Sequence, residues 1–189
     1  FMLATPLQMA RAFSAIANGG TIYKPRLINK ITTHEEEVVQ EFPPEKKGML
    51  PISKETLNLI RNALKGVVWE DGGTARSLML RDLIIAGKTG TAQVVTLTER
   101  VKDIEETPYK FRDHGWFVGF APYDDPQIVV AVLVEHGGFG SRSAAPIAKE
   151  VIRTYLNNKK KTDKPEEPHK EITTLKTDES STKEAEEKG

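Results

Sequence analysis

The chain has 189 residues, 38% of them hydrophobic, which is enough for one sizeable core, and its 27 basic and 27 acidic residues cancel. With no basic excess and no basic stripe interleaved with aromatics, a nucleic-acid partner is not expected. There is no cysteine, which excludes a thiolate metal site and a disulfide framework, and His34, His114, His136 and His169 lack ligand spacing, so neither a metal nor another cofactor is expected.

No apolar run reaches the roughly 18 residues that a membrane span needs. The chain starts at Phe1 with neither an initiator nor a signal region, and it reads as a piece of a longer protein. Its first element is a helix with clear punctuation. Thr5 is placed to cap it, Pro6 suits the first helical position, and Gln8 completes a capping box. Leu7, Ala10, Ser14 and Ala17 make a stripe, with Met9, Phe13 and Ile16 beside it, and Asn18-Gly19-Gly20 ends the helix. A polar, proline-punctuated excursion over 21–50 follows, with short strands expected at Ile22-Tyr23 and within Ile28 to Ile31. Glu35-Glu36-Glu37 within it reads as solvated surface.

Ser53 caps the next helix, whose apolar positions Leu57, Ile60, Leu64 and Val67 recur at helical spacing. Trp69 to Gly73 stops that helix, and Thr74 is expected to cap a short one running through Leu80.

The stretch Leu83 to Val95 is the most informative part of the chain. It is an apolar run interrupted by Lys88-Thr89-Gly90-Thr91, and it reads as a buried strand. An unpaired ammonium is costly to bury, so Lys88 must line a cavity or meet a partner. Strand alternation puts Lys88, Gly90 and Ala92 on one face and Thr89 and Thr91 on the other. Gly90 leaves room for a ligand or a second backbone. A cation and two hydroxyls on opposite sides of such a strand make a receptor for a carboxylate. Gly87-Lys88-Thr89 mimics the end of a phosphate loop, but Asp82 stands where that motif needs glycine, and strand rather than helix follows.

Residues 96–113 form a long charged connection, a length expected of a lid or a disordered excursion. Strand character resumes at Trp116 to Ala121. Pro122 to Pro126 is a turn, with Asp124 and Asp125 serving as turn formers, and Ile128 to Val134 reads as a central strand. Gly137-Gly138-Phe139-Gly140 lacks the spacing of a dinucleotide loop. Pro146 opens a last helix with Ile147, Val151, Ile152, Tyr155 and Leu156 on its buried side. From Asn158 the composition is lysine, glutamate, threonine and proline, so 158–189 is expected to be a disordered tail after a folded unit over 1–157. The order of elements predicts an α+β domain, an antiparallel sheet flanked by helices.

Lys88-Thr89-Gly90-Thr91 on such a strand resembles the third motif of the penicillin-recognising serine enzymes. Ala4 to Ala10, Ala17 to Gly20, Gly73-Thr74-Ala75, Gly87 to Gln93 and Gly119 to Pro122 resemble the second half of a class B penicillin-binding protein transpeptidase domain. Arg112-Asp113-His114, Phe120 to Tyr123 and Val134 to Gly137 are most similar to the elongation-type branch, penicillin-binding protein 2. The resemblance covers about 1–157, and it implies a partial serine β-lactamase/penicillin-binding-protein transpeptidase fold.

The activity it implies is acyl transfer that cross-links peptidoglycan stem peptides at D-alanyl-D-alanine and is blocked covalently by β-lactam antibiotics. Lys88 is then expected to order a proton relay, Thr89, Gly90 and Thr91 to bind the donor carboxylate, and the backbone N–H of Thr91 to serve half of an oxyanion hole. Two motifs of the family, S-x-x-K and S-x-N, are not in place. Ser180-Ser181-Thr182-Lys183 lies in the tail after the third motif, and Tyr155-Leu156-Asn157 lies on the last helix. The nucleophile is therefore expected on an N-terminal remainder of the same protein, and the chain alone is expected to be inert. The resemblance also implies an anchor in the inner membrane, an extracytoplasmic (periplasmic) location and a membrane glycosyltransferase partner of the elongation machinery. The alternatives are a non-catalytic penicillin-binding sensor or scaffold and a β-lactamase of the same fold.

Overall fold

A computed structural model describes residues 3–94 and 107–162. Helix α1 (Pro6–Ala17) starts as expected: the Thr5 hydroxyl accepts from Gln8 N–H, and the Gln8 side chain accepts from Thr5 N–H at 2.8 Å. Its buried residues are Phe13, Ala15 and Ala17, whereas Leu7 of the expected stripe is exposed. The excursion forms two small antiparallel pairs. Strand β1 (Thr21–Tyr23) pairs with β4 (Lys46–Met49), and β2 (Lys30–Thr32) pairs with β3 (Val38–Glu41). Helix α2 (Lys54–Trp69) begins at its Ser53 cap, and a 3₁₀ turn at Arg76–Leu78 leads to β5 (Ala86–Ala92). A second 3₁₀ turn, Tyr109–Phe111, precedes β6 (His114–Ala121), β7 (Ile128–Val134) and helix α3 (Ala144–Thr162).

The principal sheet has the antiparallel order β5-β6-β7, with Lys88 opposite Val118, Thr89 opposite Phe117 and Gly90 opposite Trp116. Period-2 alternation divides the core into two layers. Ala86, Val118 and Phe120 pack with Phe13 and Ala17 of α1 on one face. Ile85, Phe117, Ala121 and Val130 pack with Val68, Leu78, Ala145, Ala148 and Ile152 on the other. The expectation of an α+β sheet flanked by helices holds.

Three expectations are corrected. The apolar run of β7 is not central: among the described strands β7 pairs only with β6. It is apolar throughout because α1 covers one of its faces and α3 the other. On α3 the buried stripe is Ala144, Ala145, Ala148, Ile152 and Leu156, while Ile147, Val151 and Tyr155 are exposed. Alanines let a helix approach a sheet closely, so close packing rather than side-chain size selects the inner face. The folded unit also runs past residue 157, because α3 continues to Thr162. Lys159, Lys160 and Lys161 are good helix formers placed at a helix C-terminus, where positive charge is favoured, so these residues need no burial to stay helical. The rest of the expected tail lies outside the described residues.

Arg61 of α2 ties the end of α1 to the turn after β6 within the first of these layers. Its guanidinium donates to the carbonyl of Ala17 and, at 2.6 Å, to that of Tyr123, and it lies over the rings of Phe120 and Tyr123. Hydrogen bonds from a charged donor are worth about 1.5–3 kcal/mol each, so Arg61→Ala is expected to cost on the order of 2–4 kcal/mol in a denaturant titration. Lysine should restore less than half of this, because a point charge cannot span two carbonyls as the guanidinium fork does.

Candidate active site

Strand β5 is the edge of the sheet among the described strands, not the buried strand expected from its apolar flanks. Ala86 and Gly87 are buried, Lys88 is exposed, Thr89 and Gly90 are half-buried, and Thr91 and Ala92 are exposed. Gly87 faces Gly119 across the ladder, and a Cβ at Gly87 would lie 2.5 Å from the Phe117 ring and 2.6 Å from the Val118 carbonyl oxygen. The two glycines let β5 and β6 close around that ring, which sets where Lys88 emerges.

Lys88 lies on the α1 side of the strand and opens onto a cavity of about 410 Å³. Met9, Phe13, Trp116 and Val118 make its apolar wall, and the strand from Lys88 to Ala92 makes its polar wall. The ammonium is exposed, so burial does not force a partner on it, yet it has one. It turns around the strand edge to donate to the Thr89 carbonyl at 2.8 Å, and it stands 3.4 Å from Thr89 Oγ1. Lys88 and Thr89 leave the strand on opposite faces, yet their polar ends converge. Thr89 Oγ1 is in turn 2.7 Å from Thr74 Oγ1, so an ammonium and two hydroxyls are linked in succession at the open edge.

Gly90 sits against Trp116, whose Cβ is 3.2 Å from where a Gly90 Cβ would be. The backbone that comes close is that of the β7–α3 loop. A Cβ at Gly140 would lie 2.5 Å from the Gly90 carbonyl oxygen. Thr91 is exposed along the same edge and lines the cavity. Past the strand, Val94 N–H donates to Asp113 Oδ1 at 3.3 Å, which pins the exit of β5 to the start of β6. His136 N–H donates to His114 Nδ1 at 2.9 Å beside it. Most of the connection expected as a lid, 95–106, lies outside the described residues, as does Ser180 to Lys183. Among the described residues no cluster of histidine and carboxylate groups is placed to hold a metal.

Lys88, Thr89, Gly90 and Thr91 are therefore brought together on one accessible edge. Sequence reasoning gave no site role to Thr74, which it assigned to a helix cap, or to Gly140, which it weighed only as part of a dinucleotide loop. The arrangement offers fixed donors along an open strand edge, suited to an extended peptide ending in an anion.

Similarity to known proteins points the same way. The peptidoglycan D,D-transpeptidase MrdA of Haemophilus influenzae is 37% identical over 165 residues, covering 84% of this chain and 25% of that protein. Stage V sporulation protein D of Bacillus subtilis is 40% identical over 161 residues, 80% of this chain and 23% of that protein. The chain thus spans about a quarter of the length of these relatives. The imipenem acyl-enzyme structure of penicillin-binding protein A from M. tuberculosis superposes with a TM-score of 0.63 at 26% identity, over 81% of this chain and 31% of that one. The sequence from residue 2 to 153 matches the penicillin-binding protein transpeptidase domain. An open K-T-G strand edge on this α+β scaffold, together with that match, means that the chain belongs to the penicillin-binding protein transpeptidase domain family.

Proposed function

We propose that this chain is the C-terminal portion of the transpeptidase domain of a peptidoglycan D,D-transpeptidase of the elongation type. The observation that carries the reading is the convergence of Lys88 Nζ and Thr89 Oγ1 at the open edge of β5, beside the cavity that Thr91 also lines. In this reading a serine on preceding sequence attacks the penultimate carbonyl of a stem peptide. Its proton enters a relay ordered by Lys88. The terminal D-alanine leaves, and an amine of a neighbouring stem takes the acyl group. Thr89, Gly90 and Thr91 bind the donor's terminal carboxylate, and Thr91 N–H stabilises the oxyanion. A β-lactam opens onto the same serine and stays.

Kinship with MrdA supports the cell-wall substrate, and the imipenem acyl-enzyme of a relative supports covalent capture of β-lactams. The reading also places the complete protein at the extracytoplasmic face of the inner membrane, working beside a membrane glycosyltransferase. No described helix is long and apolar enough to cross a membrane. β7, with its seven apolar residues and one unpaired edge among the described strands, fits a surface that the same remainder covers.

Intact-mass spectrometry after penicillin treatment tests the proposal. The complete polypeptide should gain one long-lived acyl adduct, and this chain alone should gain none. An adduct on the chain alone would place the nucleophile here and overturn the assignment. Rapid turnover of the adduct would instead indicate a β-lactamase.

A further inference from the structure

The turn between α2 and β5 carries a hydroxyl that the acyl-transfer reading leaves without a task. Thr74 does not cap the following helix: the 3₁₀ turn starts at Arg76, its N-cap is Ala75, and no side chain caps it. The Thr74 hydroxyl lies instead 2.7 Å from that of Thr89. This placement is held from behind. Gly73 N–H donates to the Glu70 carbonyl and Ala75 N–H to the Val67 carbonyl, each at 3.0 Å. Arg76 pairs with Asp71 across the turn. A Cβ at Gly73 would stand 2.5 Å from the Val67 carbonyl oxygen, so the turn is packed directly on the end of α2. Thr74 therefore projects from a fixed mount.

We propose that Thr74 is a positioning residue, which directs the hydroxyl proton of Thr89 outward and so sets the preference for a donor ending in a carboxylate over one ending in a carboxamide. The proposal rests on the reading of Thr89 as a carboxylate-binding residue. A hydroxyl has one proton and two lone pairs, and an ammonium only donates. Lys88 Nζ therefore approaches Thr89 Oγ1 as a donor. Of the two hydroxyls 2.7 Å apart, one must give its proton to the other. If Thr89 gives, it presents only lone pairs to a ligand, which repel a carboxylate and suit an amide N–H. If Thr74 gives, the Thr89 proton is left for the ligand, and the chain Thr74 to Thr89 to carboxylate is polarised in one direction. Thr74 is exposed, so water meets its own lone pairs and the outward state carries no buried penalty.

The test uses the complete polypeptide with two donors, an acylated D-alanyl-D-alanine and its C-terminal carboxamide, and a fluorescent penicillin as the probe of active enzyme. Thr74→Val should raise KM for the carboxylate donor about 3–10-fold, the range of one net hydrogen bond, with kcat moving less than KM. KM for the carboxamide should stay within about twofold, and Thr74→Ser should return the carboxylate KM to near the parent value. In a Thr89→Val background the Thr74→Val change should add nothing further, since the group it directs is gone. Equal losses for both donors, a Thr74→Val protein indistinguishable from the parent, or failure of serine to rescue would each overturn the proposal. A parent that captures no penicillin and turns over neither donor would overturn the transpeptidase reading itself, and this proposal with it.

Discussion

Lys88→Met in the complete polypeptide is expected to slow covalent capture of penicillin by about 10²–10⁴-fold, the range associated with a positioned proton-transfer group. The substitution isolates the charge. Methionine keeps an unbranched stem that can lie against Met9, Phe13 and Trp116, which form the wall of the Lys88 cavity. Losing the ammonium frees the Thr89 carbonyl that accepts from it at 2.8 Å. Lys88 is exposed there, so water replaces the bond and stability should change by less than about 0.5 kcal/mol. Lys88→Arg should not rescue: its planar fork does not reproduce a single turned-back ammonium donating to the Thr89 carbonyl. Stopped-flow acylation with a chromogenic β-lactam reads the rate, and circular dichroism checks the fold. An acylation rate within about threefold of the parent would remove Lys88 from the mechanism.

Lys88 stands out in the chain because a lysine interrupts an apolar, β-branched run, and the structure resolves the anomaly by placing it on an exposed edge beside a cavity rather than in a buried strand. Local signals served equally well elsewhere. The capping box at Thr5 and Gln8 forms as read. The parity of Lys88 against Thr89 also survives at the backbone, since their opposite numbers Val118 and Phe117 belong to different core layers. What could not be read depends on distant residues. Strand β4, Lys46-Lys47-Gly48-Met49, has no strand pattern of its own and exists because Thr21 to Tyr23 lies beside it. The apparent cap at Thr74 is sound local chemistry that lost to a contact fifteen residues away. The inner face of α3 went to alanines because hydrophobicity alone ranks Ile147 and Tyr155 above them, while contact distance against a sheet ranks them below.

Contact distance also determines the last expected result. Gly140→Ala should destabilise the fold by about 1–3 kcal/mol or more, lowering the melting temperature by several degrees, although the residue is remote in sequence from the K-T-G strand. An added Cβ would stand 2.0 Å from the Trp116 carbonyl oxygen, 2.5 Å from that of Gly90 and 2.8 Å from Trp116 N. All three are backbone atoms of β5 and β6, so no rotamer change relieves them, and the β7–α3 loop must lift instead. Lifting it strains the carbonyl of Gly140, which accepts from Ala144 and Ala145 N–H at 3.1 and 2.8 Å and starts α3. Gly115 makes a softer demand from the other side: its Cβ would meet the Ser143 hydroxyl at 2.1 Å, which a rotamer change can move, and backbone of the same loop only at 3.1 and 3.3 Å. Gly19→Ala is the control. It has φ +86° and nothing within 4 Å, so its cost is conformational only, about 1 kcal/mol. If close approach of the loop sets the position of Gly90, Gly140→Ala should slow acylation as well as lower the melting temperature, whereas Gly19→Ala should affect stability alone. Melting curves and acylation rates measured together separate the two, and a Gly140→Ala protein as stable and as fast as the parent would show that the loop does not bear on the strand.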